Sequence, residues 1–231
     1  MVFEVVLENN DEILIAQQYG AKRVELCSAL DLGGVTPSAA MIKSAVEISD
    51  CEVHIMIRPR SGGFIYTSDE IEIMKNDISF CKEAGCDGVV FGLVTTNKKI
   101  DMPNTKRLTD FAKSLGLEVT FHRAIDFTEN INQSVESLID LGITRILTSG
   151  GKTNVDEGVE EIKKLHLLYG DKIQIMAGGG VNIANAAELI NFGLQDIHFN
   201  IRKESAFQSN LLMGKEYEID EQKIQKITAL R

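Results

Sequence analysis

Proline is scarce, with three residues in 231, while hydrophobic residues make up an ordinary 44%. That combination excludes disorder as the general state. No uninterrupted apolar run reaches the roughly 18 residues that a bilayer-spanning helix requires. Basic residues are too few for an extended nucleic-acid or anionic-membrane surface, which needs a sizeable basic patch. The 24 Lys and Arg stand against 34 Asp and Glu, giving a formal net charge of −10 and a pI near 5.0. Four cysteines, Cys27, Cys51, Cys81 and Cys86, are too few and too scattered for a secreted disulfide scaffold. The opening MVFEVVLENND lacks a basic stretch and carries Glu4 within its first apolar run, so it does not read as a signal peptide. The expectation is a soluble cytoplasmic protein with no nucleic-acid and no membrane partner.

What the chain does have is a repeated phrase, a helical stretch ending at glycine and followed by a short apolar run. It occurs as QYGAKRVEL, EAGCDGVVF, SLGLEVTF, DLGITRIL, LYGDKIQIM and NFGLQDIHF, at Gly20, Gly85, Gly116, Gly142, Gly170 and Gly193. Glycine is favoured just past a helix end, where the chain turns through the left-handed region. A β-branched run directly afterwards makes this an αβ connection, and its repetition means a parallel sheet. Adding FEVVL and EVHIMI gives eight strands, at about Phe3–Leu7, Arg23–Cys27, Glu52–Ile57, Gly88–Gly92, Glu118–His122, Arg145–Thr148, Ile173–Ala177 and Asp196–Asn200. Thr36-Pro37 and Thr67-Ser68-Asp69-Glu70 read as helix starts. An open doubly wound sheet is the competing arrangement, but no GxGxxG follows the first strand. The expectation is one α/β domain over residues 1–231, a (β/α)8 TIM barrel with its core at about 1–200. A C-terminal extension with a final helix follows over 201–231, where Ser205 to Glu218 reads as a loop across the mouth or a partner-facing arm.

Alternation along the strands assigns the barrel interior. Val24 and Leu26 facing the helices leave Glu25 and Cys27 inward, and Val53, Ile55 and Ile57 leave His54, Met56 and Arg58. The same rule turns Glu4, His122, His198 and Asn200 inward. Barrel interiors are usually filled by Val, Ile and Leu, and buried charges cost several kcal/mol each unless paired. One reading is therefore a structural Glu–Arg–His network. The other is a functional pocket, because barrel enzymes place their chemistry at the C-terminal strand ends, where Cys27, Arg58, His122 and Asn200 fall.

Further features gather at that end. In RPRSGGFIY, Arg58 and Arg60 offer forked donors to a carboxylate or phosphate, and Ser61-Gly62-Gly63 with Phe64 and Tyr66 could cover a ligand. TSGGK after the sixth strand and AGGGVN after the seventh bring Ser149, Gly150, Gly178, Gly179 and Gly180 into glycine-rich turns opening helices, which suit an anion. FHRAID supplies His122 and Asp126, and ELCS supplies Glu25, as acid–base candidates for catalysis. Schiff-base chemistry looks poor, since no strand carries an inward lysine. No CxxC or HxxxH motif supports zinc, but Cys27 with Met56, Met176, His54 or His122 offers soft donors for Cu(I).

Taken in order, ELCSAL, GGVTPS, IMIRPRSGGFIYT, DGVVFG, VTFHRAID, RILTSG and IMAGGGV resemble the CutC family from about Glu4 to Asn200. The resemblance implies a cytoplasmic TIM barrel with a role in copper tolerance or trafficking, Cu(I) binding in some members, and a homodimer or higher homo-oligomer. Members with a proposed Cu(I) site carry EVC in the first strand, pairing that cysteine with the one in ELC. Here the first strand reads Glu4-Val5-Val6, so Cys27 is left alone. The expected function is that of a copper-homeostasis protein, with Cys27 as the metal residue; the rival is an enzyme acting on a small phosphorylated or carboxylated metabolite. A scaffold whose interior network only stabilises the barrel is the third.

Overall fold

Short polar caps cut the chain into alternating elements. In the computed structural model, which describes residues 1–207 and 214–230, these are β1 (Val2–Leu7), α1 (Asn10–Gln18), β2 (Arg23–Leu26), α2 (Ala39–Ile48), β3 (Glu52–Met56) and α3 (Ser68–Ala84). There follow β4 (Gly88–Phe91), α4 (Met102–Ser114), β5 (Glu118–Phe121), α5 (Ile131–Asp140), β6 (Arg145–Thr148), α6 (Val155–Tyr169), β7 (Gln174–Ala177), α7 (Ile183–Phe192) and β8 (Asp196–Asn200). Each N-cap side chain accepts a backbone N–H of the first turn, as Asn9, Ser38, Asn154 and Asn182 do. Thr67 and Glu70 form the full reciprocal capping box that their spacing predicts. Thr36-Pro37 does not start a helix. Ser38 caps α2 instead, and the Thr36 hydroxyl accepts from the Arg58 backbone N–H, tying this loop to the end of β3.

The strands pair in chain order, all parallel, and β8 returns to β1, so the fold is a closed (β/α)8 barrel. Several expected strand ends fall one residue too far along. Cys27, Ile57, Gly92 and His122 lie just past the ladders, where the chain peels away to form the mouth. The apolar core lies between strands and helices, with Val24, Leu26, Val53, Ile55, Val119, Phe121, Ile197 and Phe199 buried as alternation requires. A separate small apolar patch, Val6, Cys27, Met56 and Val90, lies inside the barrel.

Beyond β8 the chain forms a hairpin, β9 (Arg202–Glu204) with β10 (Tyr217–Ile219), and then α8 (Glu221–Thr228), which packs on α7. Buried Ile224 and Ile227 pin α8 to the barrel. Arg202 anchors the hairpin through ion pairs with Glu8 and Asp31 and by stacking on Tyr217. The tip of the expected mouth-crossing segment, 208–213, lies outside the described residues.

Candidate functional site

The barrel interior separates into two polar storeys. The lower one, at the N-terminal ends of the strands, is an ion-pair network. Arg23 reaches Glu4 and Asp196, each at 3.4 Å, and Glu52 at 3.0 Å. Arg145, which is 1% exposed, donates to Thr120 Oγ1 and to Glu118, both at 3.0 Å, and its Nε lies 3.7 Å from Asp196. His54 sits among them with neither ring nitrogen hydrogen-bonded among the described residues, its Nε2 3.9 Å from Glu118, and burial pushes its pKa down to about 4, so it is neutral at pH 7. It does not line the upper cavity, and its ring occupies the space that a Cβ on Gly88 would need. The network reading of the interior charges describes this storey. Arg23, Arg145, Glu118 and Asp196 escaped the alternation argument because they stand at strand starts, directly after the glycine turns. Counting back two residues from Glu25 and His198 would have placed Arg23 and Asp196 inside.

The upper storey is a cavity of about 240 Å³ at the C-terminal mouth, lined by Glu25, Cys27, Met56, His122, Arg123 and His198 among others. Glu4 lies beneath it and accepts from His198 Nδ1 at 2.7 Å, fixing the ring so that Nε2 stands 3.8 Å from Glu25. Burial alone would raise the Glu4 pKa, but the His198 hydrogen bond and the charges of His198 and Arg23 bring it down to about 2. His198 loses basicity by burial and regains more from Glu25 and Glu4, so it is held protonated more firmly than a free histidine. Glu25 differs. Burial outweighs the attraction of His198 and moves its pKa up to about 7, and its Oε1 has no partner among the described residues. Its other oxygen lies 3.7 Å from the Cys27 thiol. Burial and Glu25 push that thiol well above its ordinary value, so Cys27 carries its proton.

His122 takes a role different from the expected proton shuttle. Its Nδ1 accepts from the Ala124 N–H at 3.1 Å, which leaves the proton on Nε2, and Nε2 has no partner among the described residues. Burial and the nearby Arg58 charge move its pKa down to about 3. His122 is therefore a neutral Nε2–H donor, suited to polarise a carbonyl and unable to act as a base near pH 7. Phe64 covers it, ring centroids 4.8 Å apart, as the expected lid over the mouth would. Tyr66 does not line the cavity and stacks on Arg60 instead.

The anion candidates redistribute. Arg58 donates to the carbonyls of Leu32, Gly34 and Gly62, and Arg60 donates to Glu70 and the carbonyls of Ser61, Gly63 and Ile65. Both hold the loop after β3 and line not the 240 Å³ cavity but an adjoining one of about 830 Å³, which shares Gly33, Phe64 and Arg123 with it. Asp126 is not free for proton transfer either. It accepts from the Ser149 and Gly151 amides at 3.0 Å, from Arg123 Nε at 2.9 Å, and from the hydroxyls of Thr148 and Ser149. Its carboxylate thus fills the glycine-rich turn after β6, where Ser149 and Gly150 were expected to receive a ligand. The turn after β7 has no such internal carboxylate among the described residues. Gly178 donates to Thr148 O, but the amides of Gly179, Gly180 and Val181, which line the cavity, have no partner among the described residues. Arg123 lines the cavity beside Gly179, with its Nε on Asp126 and its Nη2 on Ser149 Oγ and the carbonyls of Lys152 and Thr153, so that Nη1 is the end that faces Gly179. Asn200 is at the rim, accepting from Lys223 Nζ at 3.1 Å.

Comparison with known proteins places this geometry. A family model described as the CutC family matches residues 1–203. The family protein CutC of Pasteurella multocida (strain Pm70) is 42% identical over 229 residues, covering 97% of this chain and 93% of the relative. That of Aliivibrio fischeri (strain MJ11) is 41% identical over 91% of this chain and 85% of its own. Among solved structures, one described as a copper homeostasis protein CutC from Streptococcus agalactiae superposes with a TM-score of 0.80. It shares 33% identity and covers 86% of this chain and 98% of that one.

Proposed function

This chain belongs to the CutC family, and from the chemistry of its barrel mouth we propose that it binds a small anionic organic molecule there and acts on it by acid–base chemistry. One observation carries the reading: Glu25, buried, with an unpartnered oxygen and a pKa moved to about 7, lines the same cavity as the neutral His122 Nε2–H. A carboxyl with that pKa both gives and takes a proton near neutrality, and a neutral imidazole N–H stabilises a developing oxyanion. Arg123 and the Gly179–Val181 amides supply the subsite for a carboxylate or phosphate. The reading carries with it a cytoplasmic protein working as a homodimer or higher homo-oligomer, without nucleic-acid or membrane partners. No described helix is long and apolar enough to cross a membrane.

The test is thermal. At a hundredfold excess over Kd, phosphate or a small carboxylate stabilises by about 2.7 kcal/mol, and a chain of this size gains about 2–4 °C per kcal/mol. Arg123→Gln is expected to abolish that gain while Arg58→Lys retains it. Equal gains in the two variants, or none in the wild type, would defeat the proposed subsite.

A copper role, the property in the description of the Streptococcus agalactiae relative, is the second reading. It draws on Cys27 and Met56, soft donors in one buried patch at the cavity wall. The donor set fits Cu(I) poorly: Val6 fills the place of a second thiol, and Cys27 is held as a thiol beside Glu25. In a Cu(I) competition against a chromogenic chelator under reducing conditions, wild type and Cys27→Ala should behave alike. Tight stoichiometric binding lost in Cys27→Ala would reverse the order of the two readings.

A further inference from the structure

Lys223 is the one lysine lining the mouth cavity among the described residues, and no strand supplies it. It comes from α8, beyond the residues matched by the family model. Helix geometry puts it there. Asp220 caps α8 by accepting the Lys223 backbone N–H at 3.0 Å, and Ile224 and Ile227 fix the helix face against the barrel. Lys223 thereby lies at the edge of that face, over the end of β8. Its surroundings are unlike those of a surface lysine. Lys106, Lys163 and Lys215 each meet a carboxylate, whereas the Lys223 ammonium has only the neutral Asn200 Oδ1, at 3.1 Å, and no carboxylate within ion-pair distance among the described residues.

We infer that Lys223 is a nucleophilic amine of the mouth cavity, forming an imine with a small ligand that carries a carbonyl group beside its carboxylate or phosphate. The inference rests on the cavity being an anion site, and it adds the carbonyl to the ligand's chemical class. Burial disfavours the ammonium form and moves the Lys223 pKa below its ordinary value, which raises the fraction of free amine. The amine lone pair adds to the carbonyl carbon, forming the C–N bond while the C=O π pair moves to oxygen and takes up a proton. The nitrogen then loses a proton and the oxygen, protonated once more, leaves as water, giving C=N. The reaction is a condensation, so no oxidant or reductant takes part. Glu25, in the same cavity with a proton to give and take, serves these transfers, and His122 Nε2–H is the donor for the carbonyl oxygen. The expectation that Schiff-base chemistry lacks a lysine holds for the strands and fails for the helix laid over their ends.

The experiment is reductive trapping. Wild-type protein is incubated with pyruvate or with glycolaldehyde phosphate and cyanoborohydride, and adducts are located by peptide mapping. Lys223 should label saturably and ahead of exposed Lys106 and Lys164. Lys223→Arg should remove that adduct while leaving the fold and the melting temperature nearly unchanged. Labelling spread evenly over the surface lysines overturns the inference. So does the absence of an adduct on Lys223 while the same probes raise the melting temperature of wild type and Lys223→Arg alike, and that result leaves the anion site standing. Neither adduct nor thermal shift overturns both.

Discussion

Glu25→Gln should raise the melting temperature at pH 8, leave it nearly unchanged at pH 4.5, and slow the proposed acid–base reaction at every pH. The sign follows from linkage. Burial lifts the folded-state pKa of Glu25 to about 7 from an ordinary 4.5, so the folded protein holds a proton that the unfolded chain gives up. Between those two values, stability falls as pH rises, and above pH 7 the deficit is constant. Its full size is at most about 3 kcal/mol, equivalent to several degrees at about 2–4 °C per kcal/mol. Glutamine mimics the protonated carboxyl and escapes the penalty, while His198 keeps its bond to Glu4. Loss of a positioned acid–base group costs about 10²–10⁴ in rate. Differential scanning calorimetry across pH, beside the ligand assay, checks both halves. A variant equally destabilised at pH 4.5 and pH 8 would show that Glu25 serves the fold rather than chemistry.

Arg145→Ala should lose about 3–5 kcal/mol, a fall of roughly 6–20 °C in melting temperature, with ligand binding at the mouth unaffected. Arg145 is among the largest fully buried side chains and bridges Thr120, Glu118 and Asp196 in the lower storey. Deleting it opens a cavity and leaves Asp196 with Arg23 alone, at 3.4 Å. Burial already raises the Asp196 pKa, opposed by the two arginines, so removing one arginine moves it further toward neutrality. Adding Asp196→Asn should recover part of the loss, and the double-mutant cycle measures how much of the cost was an unpaired charge. A single variant within 1 kcal/mol of wild type would mean that water replaces the guanidinium at little cost.

The barrel was legible because its determinants are local. Glycine stops, polar caps and two-residue alternation each act within a few residues, and the closed sheet follows from repeating them. Glu4, Glu25, His54, His122 and His198 were placed inside by alternation alone, and burial agrees for all five. What alternation cannot convey is where a long side chain ends. Arg58 stands at an inward position yet holds loop carbonyls, while Arg123, one residue past an inward histidine, holds Asp126 and the carbonyls of Lys152 and Thr153 and still presents one edge to the cavity. Protonation was equally hidden, since neutral His122 and charged His198 differ only in their neighbours. Lys223 depended on the docking of a helix, a tertiary fact without a local signature.

Of the two glycine-rich turns at the mouth, one is already satisfied from within. Asp126 sits in the turn after β6 as a tethered carboxylate, which no diffusing anion has to be concentrated to match, and holds the Ser149 and Gly151 amides in place. Among the described residues, the amides of the turn after β7 are the ones of the two turns that face the cavity without a backbone or side-chain acceptor. The mouth is therefore one-ended toward charge. Under the proposed reading, an anionic head meets its donors at Gly179–Val181 and an uncharged remainder lies across Glu25 and His122.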